Sequence, residues 1–148
     1  MILNLKNFKE RKMKINNQIF NYNSEKILSI EYLYTSDEYV NFILYAKSNS
    51  FEGASSFCVS KTILSVAIEK LWDMHKNLDG FCEINDYDSD AFITFQINKL
   101  GHLLVHGQIG GSHQDHIMRF KYTIDQSILL NLIDQLQKII LLNAEHFV

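Results

Sequence analysis

Proline is absent from the 148 residues, and so are internal sequence repeats and low-complexity tracts. Those absences exclude a solenoid and a proline-rich linker, and one domain is the simplest organisation. Cysteine occurs twice, at Cys58 and Cys82. Two isolated thiols are expected to be reduced and packed rather than bridged or catalytic. No apolar run reaches the roughly 18 residues that a transmembrane helix needs. The stretch Met1–Lys12 is charged where a signal peptide carries an apolar run of roughly 7–15 residues. The expectation is a cytoplasmic protein with no membrane partner. Met13 offers an alternative start, with residues 1–12 as a loose extension.

Hydrophobic residues make up 47% of the chain and charged residues 21%, which is the balance of a globular domain rather than a disordered one. A chain of this length buries roughly two-thirds of its unfolded surface, enough for one real core. The net charge of −3 is unevenly spread: residues 1–30 carry +4, residues 31–98 carry −7 and residues 99–148 balance to zero. An acidic middle opposes direct nucleic-acid binding and suits a basic protein partner.

Period-two alternation marks the strands. Leu28, Ile30, Tyr32 and Tyr34 share one face, and Val40, Phe42, Leu44 and Ala46 another, with Asp37-Glu38 in the turn between them. Phe51 to Val59 reads as a third strand, interrupted by Gly53. Leu64, Ala67, Ile68, Leu71, His75 and Leu78 then follow helical spacing, which predicts a helix over Lys61–Leu78. Ser60 is its expected N-cap and Gly80 its expected left-handed terminator. Strands return at Phe81–Asn85 and Ala91–Asn98. Leu103, Val105, Gly107 and Ile109 alternate next, then Met118, Phe120, Tyr122 and Ile124. Asp125 is placed to cap a last helix with Leu129, Leu132, Ile133, Leu136, Ile139 and Ile140 on one stripe.

The order strands, helix, strands, helix predicts an α+β fold. Short turns favour an antiparallel meander sheet with two amphipathic helices packed on one face. Residues 1–26 read as an N-terminal segment, either loose or an added edge strand, and residues 27–148 as a single α+β domain.

Four of the six histidines lie between Gly101 and His116. On a strand His102 and His106 share a face but stand roughly 13 Å apart. One zinc ion, with bonds of about 2.0–2.1 Å, cannot span them. His113 falls in a turn and His116 on the face opposite His106, so the four do not converge. Asp115 is near, but no Ser/His/Asp arrangement can be assembled from spacing alone. Asp86, Asp88 and Asp90 mimic the start of a calcium loop. The later Gly and Glu positions of that loop are Ala91 and Ile97 here, so calcium is not expected. Gly107-Gln-Ile-Gly110-Gly111 has no following helix to receive a phosphate. No cofactor, metal or catalytic residue is assigned.

Several stretches together have a familiar order: Tyr39-Val-Asn-Phe-Ile-Leu-Tyr45, then Ser56-Phe-Cys58-Val-Ser-Lys-Thr62 entering a helix. Gly101-His-Leu-Leu-Val-His-Gly107 follows, then Arg119-Phe-Lys-Tyr-Thr-Ile-Asp125-Gln126 and the Leu/Ile-rich last helix. Over residues 28–142 this resembles the WapI-type immunity proteins of bacterial polymorphic toxin and contact-dependent inhibition systems. The matching positions are turns, core residues and a helix cap. The resemblance implies a non-enzymatic protein that binds and neutralises a cognate toxin domain, in many systems a nuclease. It transfers no binding residues.

The acidic residues Asp37, Glu38, Glu83, Asp86, Asp88 and Asp90 are the candidate charged contacts for such a partner, and Tyr87, Phe92, His106 and Arg119 the candidate anchors. Two other classes remain open on sequence. One is a metal-dependent hydrolase using the histidine-rich hairpin. The other is a secretion chaperone or adaptor.

Overall fold

A computed structural model describes residues 17–111 and 116–143, and shows the α+β class and the strands-helix-strands-helix order. Strands β1 (Gln18–Tyr22), β2 (Lys26–Ser36), β3 (Tyr39–Ser48) and β4 (Phe51–Ser60) form an antiparallel meander, followed by helix α1 (Lys61–Asn77). Strands β5 (Gly80–Asn85), β6 (Phe92–Ile97), β7 (His102–Gly110) and β8 (Ile117–Asp125) form a second antiparallel meander, followed by helix α2 (Ile128–Leu141). The expected single sheet is therefore two four-stranded sheets. The break falls where α1 separates β4 from β5, so that the short turn joining antiparallel neighbours is replaced by a helix at that point. The same five-element order occurs twice although the two halves carry no sequence repeat.

The turns explain the meanders. Asp37 and Glu38 both have positive φ, 49° and 70°, as do Asn23 and Ser24 at 53° and 61°. At Asp37-Glu38 the paired left-handed residues match the twist of the flanking strands in a two-residue hairpin, while Asn23 and Ser24 lie in the three-residue connection between Tyr22 and Lys26. Residues 18–22, grouped by sequence with the N-terminal segment, pair with β2 as an edge strand and bury Ile19 and Phe20. Residues 1–16, including Met13 and the charged stretch before it, lie outside the described residues, as do Ser112, His113 and Asp115.

Each sheet turns one face to a continuous core. Leu28, Ile30, Val40, Phe42, Leu44, Ala46, Phe57 and Val59 come from the first sheet. Cys82, Ile84, Ile93, Phe95, Ile97, Leu103, Val105, Ile109, Phe120, Tyr122 and Ile124 come from the second. One β-bulge breaks the alternation read from sequence. Tyr32 pairs with Phe42 but Tyr34 pairs with Asn41, so Leu33 is the extra residue. From there the strand inverts: Thr35 is buried opposite Val40, and Tyr34 joins the outer face instead of the core. Re-aiming a side chain in this way is what a bulge does.

The helices join the halves. Helix α1 packs along β5, where the Cys82 thiol lies 3.8 Å from the Ala67 carbonyl. Helix α2 returns to β1, where the Asn131 amide donates to the carbonyls of Gln18 and Ile19 at 2.9 and 2.8 Å. The two helices also touch one another. Ser60 caps α1 as expected, its hydroxyl accepting from Ile63 N–H. Leu78, not Gly80, takes the left-handed C-cap, at φ 53°. Gly80 instead opens β5 at φ 122°, where a Cβ would lie 2.8 Å from Met74 Cγ. The Asp125 carboxylate accepts from the N–H of Ser127, which is the N-cap in its place two residues on, and its hydrogen bonds with Ser127 hold its acid below the usual range. Among the described residues no helix is long and apolar enough to cross a membrane.

Two features of the second sheet give measurable consequences. A Cβ on Gly107 would stand 2.5 Å from the Phe120 ring and 2.7 Å from the Phe92 carbonyl oxygen. The second neighbour is backbone and cannot rotate away. Gly107→Ala is expected to cost about 1–3 kcal/mol in urea unfolding; a variant as stable as the parent would contradict this packing.

The Tyr122 hydroxyl donates to the Lys47 carbonyl at 2.7 Å and lies 3.4 Å from the Ile27 carbonyl, reaching from one sheet to the other. Burial lifts its phenol to about 12, and burial lifts the Cys82 thiol to about 11. Unfolding returns both groups to ordinary values near 10 and 9, so the unfolded chain releases these protons first. Their contribution to stability is intact below about pH 9 and declines as pH rises towards 11 and then 12. Urea midpoints measured from pH 8 upward are expected to fall, and to fall less steeply in a Cys82→Ala, Tyr122→Phe double variant. Parallel slopes would refute the assignment.

Candidate interaction site

The ten candidate residues separate into distinct places. Asp86 is the largest departure: the sequence makes it a candidate charged contact for a partner, and it is only 8% exposed. Its Oδ1 accepts from Cys58 N–H at 2.8 Å and from Asp88 N–H at 3.3 Å, and its Oδ2 accepts from the Ser89 hydroxyl at 2.6 Å. A carboxylate leaves water only when donors replace the water, and here three do. Asp86 is therefore a structural residue and not an outward charge.

The same bonds fix the β5–β6 loop. Tyr87 N–H donates to the Cys58 carbonyl at 2.9 Å, so Cys58 uses both its backbone groups on this loop. Asp86 N–H closes onto the Ala91 carbonyl, and Ala91 N–H donates to Ser89 Oγ. Held this way, the Tyr87 side chain stands 73% exposed. Its ring lies 5.4 Å from that of Tyr39, tilted by 58°.

A groove of about 410 Å³ opens at this point, lined by Tyr34, Ser36, Asp37, Tyr39, Asn41, Cys58, Tyr87 and Asp88. Two acidic turns remote in sequence, Asp37-Glu38 and Tyr87-Asp88, thus meet at one end of the molecule. Glu38 adjoins the groove, and its backbone carbonyl accepts from Lys61 N–H at the start of α1. Tyr34, Tyr39, Asn41 and Cys58 were not among the sequence candidates. The Leu33 bulge brings Tyr34 to this side, and no local sequence signal marks that bulge. The Cys58 thiol is raised by burial and then by the Asp88 and Asp86 charges, which makes it a weak nucleophile.

Glu83, Phe92, His106 and Arg119 lie elsewhere, on the outer face of the second sheet. Register places Glu83, Thr94, His106 and Lys121 in one row, and Asn85, Phe92, Gln108 and Arg119 in the next. Phe92 and His106 meet edge to face at 5.5 Å, and Arg119 Nε donates to Gln108 Oε1 at 3.2 Å. Asp90 is exposed on the far side of the loop, beside Gly111. His102 shares the outer face with His106. No group of three His, Cys, Asp or Glu among the described residues is placed to hold a metal ion.

Other hollows exist. One lies between Tyr22, Lys26, His102 and Asp125, and another between the helices beside Trp72 and Ile140. The Asp37–Tyr87–Asp88 groove is distinguished by the exposure of its aromatic: Tyr87 is 73% exposed, against 39% for Tyr22 and 36% for Trp72 in the other hollows, and its backbone is bonded to Cys58.

No family model matches the chain, and no curated protein matches it. Among solved structures it is similar to a chain in the crystal structures of Trypanosoma bruciei MRP1/MRP2, with a TM-score of 0.49 and 12% identity. That match covers 92% of this chain and 91% of the other.

The Asp86 network predicts a local effect of its loss. Asp86→Ala leaves the Cys58 N–H without its acceptor, at a cost of about 1–3 kcal/mol. Hydrogen exchange at the Cys58 and Asp88 amides is expected to accelerate more than exchange elsewhere in the sheets. Unchanged protection at Cys58 would reject the role given to the carboxylate.

Proposed function

We propose that this chain is an immunity-type protein that works in the cytoplasm, holding a cognate bacterial toxin domain and neutralising it by contact rather than by catalysis. The observation that carries this reading is Tyr87: a large aromatic side chain kept in solvent on a loop pinned by a buried carboxylate. An exposed aromatic costs solvation when alone, but it costs little further ordering on binding because its backbone is already fixed. Aromatic anchors of this kind carry most of the energy of protein interfaces. Asp37 and Asp88 flank it and suit a basic partner surface, as does the acidic middle of the sequence. The resemblance of residues 28–142 to WapI-type immunity proteins points the same way.

On this reading the partner is the toxin domain encoded beside this chain's gene. Co-expression should protect cells from that toxin, and the two should form a tight one-to-one complex. Tyr87→Ala is expected to weaken the complex by about 2 kcal/mol or more, mainly through faster dissociation. An Asp37→Lys, Asp88→Lys variant is expected to slow association and flatten its dependence on salt. Both are read by surface-immobilised binding kinetics. Absence of any complex with the neighbouring toxin would reject the function, and unchanged kinetics in both variants would reject this surface.

A further inference from the structure

Resting on the groove as the gripping surface, we propose that it is selective for arginine: it receives a guanidinium group from an exposed arginine of the partner. Two tyrosine rings, Tyr39 and Tyr87, stand 5.4 Å apart at a 58° tilt on one wall. Asp37 and Asp88 line the same hollow. Cys58, which also lines the groove, has both backbone polar groups bonded to Asp86 and Tyr87, so recognition falls to side chains. A cation is the complementary guest for ring faces beside carboxylates.

Among cations, the planar and weakly hydrated guanidinium gains most. It stacks on a tyrosine face and still directs N–H groups in its own plane at carboxylate oxygens. A lysine ammonium is compact and strongly hydrated, and it gives up more water to approach a ring in an open groove. The tyrosines therefore discriminate between two residues that a purely acidic patch would treat alike. The tight Asp37-Glu38 turn, which pairs Ser36 with Tyr39, and the Asp86 network beneath Tyr87 set the two tyrosines in place before any partner arrives.

The test uses the isolated chain and two small probes, Nα-acetyl-arginine amide and Nα-acetyl-lysine amide, titrated into 15N-labelled protein at neutral pH and low salt. The arginine probe is expected to shift the amides of Asp37, Tyr39, Asn41, Cys58, Tyr87 and Asp88 saturably, with a Kd on the order of millimolar. It should bind at least about threefold more tightly than the lysine probe. Tyr87→Ala should abolish that preference, and Asp88→Asn should weaken both probes. These side chains are exposed, and a matching amide spectrum away from the groove confirms that each variant folds. Equal affinity for the two probes, shifts scattered over the acidic surface, or a preference that survives Tyr87→Ala would overturn the inference. Because no toxin is present, the result is independent of whether a toxin complex forms.

Discussion

A negative charge taken out of water must be surrounded by donors, and the donors that surround Asp86 come from two different sheets. Cys58 belongs to the last strand of the first meander, while Asp88 and Ser89 belong to the first loop of the second. Satisfying one carboxylate therefore ties the halves together at that corner. It also occupies the backbone of β4 at Cys58, on a strand that would otherwise present an open edge there. The chemistry that makes Asp86 unavailable to a partner is what holds Tyr87 and Asp88 available.

A second tie lies elsewhere in the interface. Tyr122 sends its hydroxyl from the second sheet to the carbonyl of Lys47 in the first, and its ring meets Phe20 edge to face at 5.0 Å. Gly53 allows the sheets to approach there, since a Cβ in its place would come within 2.8 Å of the Ile109 side chain. Between these ties the core is apolar and continuous. Rigidity of this kind bears on recognition, because a surface built on fixed backbone loses little conformational freedom when it is covered.

Much of the fold was legible from period and spacing. The strand at Val40–Ala46 and the stripe of Leu64, Ala67, Ile68 and Leu71 appear where alternation and helical periodicity place them. Burial imposes those periods, so they survive in the sequence. The division into two sheets was not legible, because hydrophobic alternation reports which residues face inward and not which strands share hydrogen bonds. The bulge at Leu33 was hidden for a related reason: in Tyr32-Leu-Tyr34-Thr35 either phase offers large side chains to the core. Asp86 was misjudged because Asp-Tyr-Asp-Ser-Asp reads as a uniform acidic turn. Only the fold shows that its first acid sits beside the Cys58 amide. The groove itself joins residues near 37 with residues near 87, a meeting that no short motif records.

The crossed placement of the helices bears on how the protein is made. Helix α2, whose Asn131 holds the carbonyls of Gln18 and Ile19, is more than a hundred positions downstream of the strand it supports. During translation the first meander leaves the ribosome long before α2 is synthesised. Ile19 and Phe20 must wait for it, although they are almost wholly covered in the finished molecule. Pairing across such separations is slow, and it leaves apolar strands open to wrong partners in the interval. A gene cut after α1 should therefore yield an aggregating fragment rather than a smaller working unit.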